Sequence, residues 1–147
     1  LVGGRIDAPR VIESGIRRRE ESIIFRETCP IGEGEYAKTE VVPLAWCDEL
    51  SLVRLIPHTG RTHQLRVHLS AVGHPLLGDD LYGGDLQHIG RHALHAATLS
   101  LPMPRTGERI TVSAPLPADM ETVIKMLGEE AVTLAKAECA QTGQEIR

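Results

Sequence analysis

Between residues 58 and 74 the sequence places four histidines and two arginines: His58, His63, His68, His74, Arg61 and Arg66. No acid appears until Asp79. Side chains of these types can ligate a metal, pass protons or hold an anion. The spacing disfavours a metal. His58, His63 and His68 are five apart, so on a helix each points roughly 140° from the last, at ~100° per residue. A helical metal pair needs i, i+3 or i, i+4 spacing. His92 and His95 have it, but they fall in a stretch that reads as a strand, where they face opposite ways. A hydrogen-bonded structural role is the expectation for each histidine, and no metal is expected.

Nucleophilic chemistry is equally thin. There is no GxSxG, no cysteine beside a histidine, and no Walker-type or dinucleotide glycine motif. Asp79 with His74 or His95 could form an acid–base pair, but nothing in the spacing demands it. Anion binding is the reading that survives. Arg61 could grip a phosphate as a planar fork. Arg66, if partly buried, needs a carboxylate partner, because an unpaired buried charge is costly.

The flanking pattern says what must position these groups. "LSLVRLIPH" (50–58) reads as a strand. "THQLRVHLSAVG" then carries Leu65, Leu69 and Val72 at i, i+4, i+7, a helical stripe. Thr62 is the expected N-cap, Gly73 the C-terminal glycine, and Pro75 a stop. The chain thus runs strand, tight turn through Thr59-Gly60, short helix, with Arg61 where free N–H groups favour an anion. Upstream, "YAKTEVVPLAWC" (36–47) reads as a strand interrupted at Pro43 by an edge or bulge, with a hairpin turn at Asp48-Glu49. Residues 3–35 read as a loop-rich excursion with one or two short strands. In it, Arg17, Arg18 and Arg19 form a self-neutralising patch beside Glu20 and Glu21. Downstream, "PLLGDDLYGGDLQHIG" reads as a loop. Residues 92–104 and 108–117 read as two strands about a turn at Arg105-Thr106-Gly107. Residues 118–140 are helical, with Met120, Val123, Ile124 and Leu127 in phase and a break at Gly128.

Composition sets bounds. At 147 residues, 41% hydrophobic and 24% charged, the chain suits one soluble globular domain. One Phe, one Trp and two Tyr leave an aliphatic core and no ring-lined sheet for single-stranded nucleic acid. Three distant cysteines suggest free thiols in a reducing, cytoplasmic compartment. No apolar run approaches the ~20 residues of a membrane span. The net charge is −4, yet residues 51–78 carry Arg54, Arg61 and Arg66 and no acid. The other residues hold 13 Lys and Arg against 20 acids, or −7. One positive island on a negative body fits a single anionic ligand.

"HTGRTHQLRVHLSAVGHPLLGDDLYGG" (58–84) closely resembles a signature block of the RluA-type RNA pseudouridine synthases, TGRTHQ(I/L)R(V/L)H followed by GHP(I/L)xGDxxYG. "LVGG" resembles the end of that family's YLALVEG strand. "AKTEV" resembles its AxTxY strand, and "RHALHAATLSLPMPRTGERITVSAPLPADM" its close. The likeness runs from residue 1 to about 120. It implies an α+β fold with a mixed, largely antiparallel sheet, a short helix after the TGRTHQLR turn and a C-terminal helix. It implies isomerisation of uridine to pseudouridine in ribosomal or transfer RNA, with no cofactor or metal, by a monomeric cytoplasmic enzyme. By position, Arg66 would pair with the family's catalytic Asp, and Leu65 would pack beside the base. Arg61, Thr62, His63 and Gln64 would line the RNA cleft. The family's HRLDxxTSG block, which carries the nucleophilic Asp, has no counterpart in this sequence. Asp79 and Asp80 belong to the GDxxYG loop and do not replace it. Residues 1–147 therefore read as the C-terminal portion of one catalytic domain, not competent alone, with Arg66 lacking its partner. The alternative is a non-catalytic RNA-binding module on the same fold.

Overall fold

A computed structural model describes residues 1–140. Two compact units divide it, Leu1–Ala93 and Leu94 onward.

The first unit is built on a five-stranded sheet in the order β1-β5-β4-β2-β3: β1 Val2–Gly3, β2 Arg10–Arg18, β3 Arg26–Cys29, β4 Glu35–Trp46 and β5 Leu50–Pro57. The expectation was a mixed, largely antiparallel sheet; every pairing among the described residues is antiparallel. Alternation along β4 turns Ala37, Thr39 and Val41 inward to join Ile12, Ile16, Leu50 and Leu52 in the core. Pro43 has no N–H to give the ladder, and the β4–β5 register shifts by one between Pro43 and Ala45. The bulge reading holds, inside the sheet and not at its edge.

Two sequence expectations change here. Residues 3–35 hold a nine-residue strand, β2, paired over seven positions with β4. Its charged end, Arg17 and Arg18, stays exposed. Arg17 binds Glu27 at 2.8 Å, and Arg19 lies 3.7 Å from the same carboxylate. The patch does neutralise itself, through β3 and not through Glu20 and Glu21. The second change is the helix. α1 spans Gln64–Ala71 and buries Gln64, Val67, His68 and Leu69. Leu65 and Val72 are only half-buried. The apolar stripe misplaced the inward face because two of its members, Gln64 and His68, are polar. The helix ends as expected: Gly73 takes φ 85° and donates to Ser70 O, while His74 donates to Leu69 O, a Schellman close.

The second unit pairs β6 (Thr98–Pro102) with β7 (Arg109–Ser113) in an antiparallel hairpin. Residues 92–97 lie outside any strand, so His92 and His95 are not strand residues. Helix α2 (Ala118–Ile124), a 3₁₀ turn (Lys125–Leu127) and helix α3 (Glu129–Cys139) follow. Gly128, at φ 99°, separates the last two, as its position predicts. Met120, Val123, Ile124, Ala131, Val132, Ala135 and Cys139 are buried. No helix among the described residues is long and apolar enough to cross a membrane.

Candidate active site

The strand–turn–helix junction is built from hydrogen bonds between polar groups. Thr59, two residues past β5, accepts from Lys38 N–H through its hydroxyl oxygen and donates to Gln64 Oε1. Gln64 Oε1 also accepts from Arg61 N–H, and its amide nitrogen donates to Lys38 O and Thr39 Oγ1. All four bonding positions of the amide are used, and the residue is 4% exposed. The Gln64 amide thus has no bonding position left to offer a ligand. It pins the turn to β4, and it occupies a helix-start donor that the sequence suggested for an anion. Below it His68, with no exposed surface, joins Thr39 Oγ1 (2.9 Å) and Ser14 Oγ (3.0 Å). Burial lowers its pKa from the usual 6.5.

Thr62 is exposed and does not cap the helix. The N-cap is His63, with φ 56° and ψ 18° and no side-chain cap bond. It is the one non-glycine residue with positive φ among those described, a conformation that costs energy and persists only where the surroundings hold it. Tyr82 supplies a hold: its hydroxyl lies 2.8 Å from His63 Nδ1 and accepts from Arg26 N–H at 3.0 Å. Burial first, then the charges of Arg66 and Arg26, lower the His63 pKa, which favours the neutral imidazole.

Arg66 has a partner after all. Its Nε and Nη2 donate to the two oxygens of Asp79 at 2.8 and 2.7 Å, a bidentate pair. Asp79 has no exposed surface and the Arg66 side chain is 13% exposed. Leu81 and Tyr82 N–H also donate to Asp79 Oδ1. Burial works to raise the Asp79 pKa, but Arg66 and these two N–H groups outweigh it, and the carboxyl lies below its ordinary 3.8. The ring of Tyr82 covers the guanidinium, whose carbon is 5.0 Å from the ring centroid. The expectation of an unpartnered Arg66 fails because the GDDLY turn folds its own acid beneath the helix.

In the sequence Asp79 stands only as a partner of His74 or His95 and as a member of the GDxxYG loop, and neither it nor Tyr82 is assigned to Arg66. The signal was present: an Asp whose carboxylate takes the N–H groups two and three residues on is an Asx-type turn. The loop is held tightly. A Cβ at Gly78 (φ 72°) would overlap the Arg91 carbonyl, and one at Gly84 the Leu76 carbonyl. Phe25 meets the Tyr82 ring edge-on at 6.0 Å, so the β2–β3 turn also closes on this loop.

The structure thus gathers His63 and Arg66 around Asp79 and Tyr82. Arg61 belongs to another contact, donating from Nε to Tyr36 O (3.0 Å) and from Nη1 to Glu35 (3.3 Å). Leu65 is half-buried. No three His, Cys, Asp or Glu side chains converge as a metal site among the described residues.

No family model matches the chain. The uncharacterized RNA pseudouridine synthase YjbO of Bacillus subtilis is 47% identical over 122 residues, 83% of this chain and 40% of that protein. Ribosomal large subunit pseudouridine synthase D of Zymomonas mobilis is 37% identical over 133 residues, 84% of this chain and 40% of that protein. The structure of human RNA pseudouridylate synthase domain containing 1 superposes with a TM-score of 0.67 at 30% identity, covering 98% of this chain and 65% of that one. The chain spans about two fifths of the length of these two bacterial relatives.

Proposed function

The chain belongs to the RluA-type RNA pseudouridine synthase family, and on that premise we propose that it forms the basic side of an active site isomerising uridine in RNA to pseudouridine. The reaction breaks the bond from C1′ to N1 and makes one from C1′ to C5. The hydrogen on C5 leaves as a proton and N1 gains one, so nothing is consumed and no metal or cofactor is required.

One observation carries this reading. Arg66 is fixed by Asp79 and Tyr82 through two of its nitrogens and one face, while the Nη1 edge takes part in neither contact. That edge is a preset donor for a second anion. Asp79 is not the nucleophile: four N–H donors saturate it beneath the surface. We place the nucleophilic acid in a segment outside residues 1–147, of the HRLDxxTSG type that the resemblance implies. Residues 1–147 are then the C-terminal portion of one catalytic domain. Arg66 keeps the incoming acid ionised, and half-buried Leu65 packs beside the base once it is flipped out of its stack. Thr62 and His63 border the RNA path, and Gln64 shapes it from beneath. Arg61 contributes by exchange, because its exposed pair with Glu35 is weak enough for a phosphate to displace. The name of the Zymomonas relative favours a ribosomal target over transfer RNA. A monomeric enzyme in the cytoplasm completes the proposal.

Tritium release from RNA labelled at uridine C5 tests it. Residues 1–147 alone should release none, and the complete translation product containing them should. In that product Arg66→Ala should lower turnover roughly a hundredfold, the scale of losing one fixed electrostatic contact. Normal turnover in that variant sinks the role of Arg66. Release from residues 1–147 alone sinks the external nucleophile. RNA binding without release from either protein replaces the enzyme with the non-catalytic module.

A further inference from the structure

Tyr82 is joined to more of the site than any catalytic scheme requires. Its N–H donates to Asp79 Oδ1, and its carbonyl accepts from Ser70 Oγ on α1 at 2.8 Å. Its hydroxyl reaches across to the backbone of Arg26 at the start of β3 and to His63 at the head of α1. Phe25 and His63 both abut its ring edge, with interplanar angles of 81° and 82°. The ring is held at both ends, and its face lies over Arg66.

A bidentate carboxylate keeps a guanidinium in the carboxylate plane but leaves both faces open. Water or a phosphate on the Tyr82 side would draw Arg66 out of position or compete for its charge. The ring closes that side, so the Nη1 edge and the opposite face are what a ligand can approach. The hydroxyl accepts the Arg26 N–H and lies 2.8 Å from His63 Nδ1, so one oxygen joins β3 to the head of α1. That contact ties the left-handed His63 backbone to the same ring.

We propose that Tyr82 is a positioning residue for the reaction: its ring sets the Arg66 guanidinium for the second anion, and its hydroxyl locks the helix start to the β2–β3 turn. This rests on the role given to Arg66 above. Tyr82 touches no reacting atom and acts through Arg66.

The test separates ring from hydroxyl in the complete protein. Tyr82→Phe keeps the ring and should cost at most about threefold in kcat. Tyr82→Leu should cost roughly tenfold or more, the equivalent of one cation–π contact in a dry site. KM should move little. In the Arg66→Ala background, Tyr82→Leu should cost almost nothing further, because the two act as a unit. Losses that multiply in full, or a Tyr82→Leu protein as active as the wild type, overturn the proposal. A second readout needs no turnover. The Nε–H resonance of Arg66, sharp and slowly exchanging when the guanidinium is fixed, should persist in Tyr82→Phe and broaden in Tyr82→Leu. An unchanged resonance in Tyr82→Leu overturns the proposal even if no tritium is released, whereas absence of release with the broadening as expected counts against the pseudouridine synthase reading alone.

Discussion

The two units spend their buried volume differently. In Leu94 onward, every buried side chain among the described residues is apolar, in helical phase along α2 and α3. In Leu1–Ala93, Thr39, Ser51, Gln64, His68 and Asp79 are all buried. No buried side-chain polar atom among the described residues lacks a hydrogen-bond partner. Apolar packing tolerates substitutions of similar volume. A satisfied polar network does not, because losing one member strands the others. The first unit accepts that risk, and its network converges on the turn and helix that carry Arg66. The contrast marks the region where geometry, and not volume alone, is specified.

The contrast can be broken most directly at Asp79. Asp79→Asn strands a mostly buried guanidinium, so a urea midpoint should report a loss of about 3–5 kcal/mol; a loss near zero would place Arg66 in water. The wild-type pair has an acid limit. The Asp79 pKa is depressed in the folded state, so its contribution is complete above the ordinary value near 3.8 and is lost as pH falls through the lower folded value. Next comes the loop that holds the pair. Gly78→Ala should cost roughly 2–3 kcal/mol, from a left-handed backbone compounded by overlap with the Arg91 carbonyl. Gly90→Ala, with nothing within 4 Å of its added carbon, should stay within about 0.5 kcal/mol. Equal effects at the two glycines would deny the loop its rigidity.

His68→Ala leaves the hydroxyls of Ser14 and Thr39 without their shared partner and should cost roughly 1–3 kcal/mol. Its pH signature is separate. Burial lowers the folded pKa, so the unfolded chain binds the proton first, and stability declines as pH drops below 6.5. Denaturation at pH 7 and pH 5 should show a shallower decline in the variant. His63 pulls the same way and keeps the slope from vanishing. Among the buried side chains the smallest effect belongs to the second unit: Ile124→Val, fully buried among apolar neighbours, should cost about 0.5–1.5 kcal/mol. A larger loss there would erase the distinction between the units.

Legibility in the sequence follows the same division. The α2–α3 break at Gly128, the β4–β5 hairpin, the Pro43 bulge and the Gly73 helix end were readable, because each rests on a local rule of periodicity or backbone freedom. The inward face of α1 was not. Gln64 and His68 look like surface residues until Thr39, 25 residues and more away in sequence, supplies their partner. Arg66 was found but its companion was not, since the pairing of residues 13 apart depends on how the GDDLY loop returns to the helix. Strand β2 was hidden because its Arg17 is neutralised by Glu27 of β3, a contact that composition does not encode.

The bulge at Pro43 has a consequence for assembly. Before it, β4 and β5 pair in one frame; after it, the frame is offset by one residue. A strand pair with an offset has no sliding symmetry. To shift along β4, β5 would have to move the irregularity to a residue whose N–H then goes unused, while Pro43 would face a ladder position it cannot serve. The hairpin therefore closes in one alignment. Thr59 sits just beyond β5 and is stitched to Lys38 on β4, so the placement of the helix that carries Arg66 is decided when that hairpin zips. One imino acid with no proton to donate acts as the molecule's index mark.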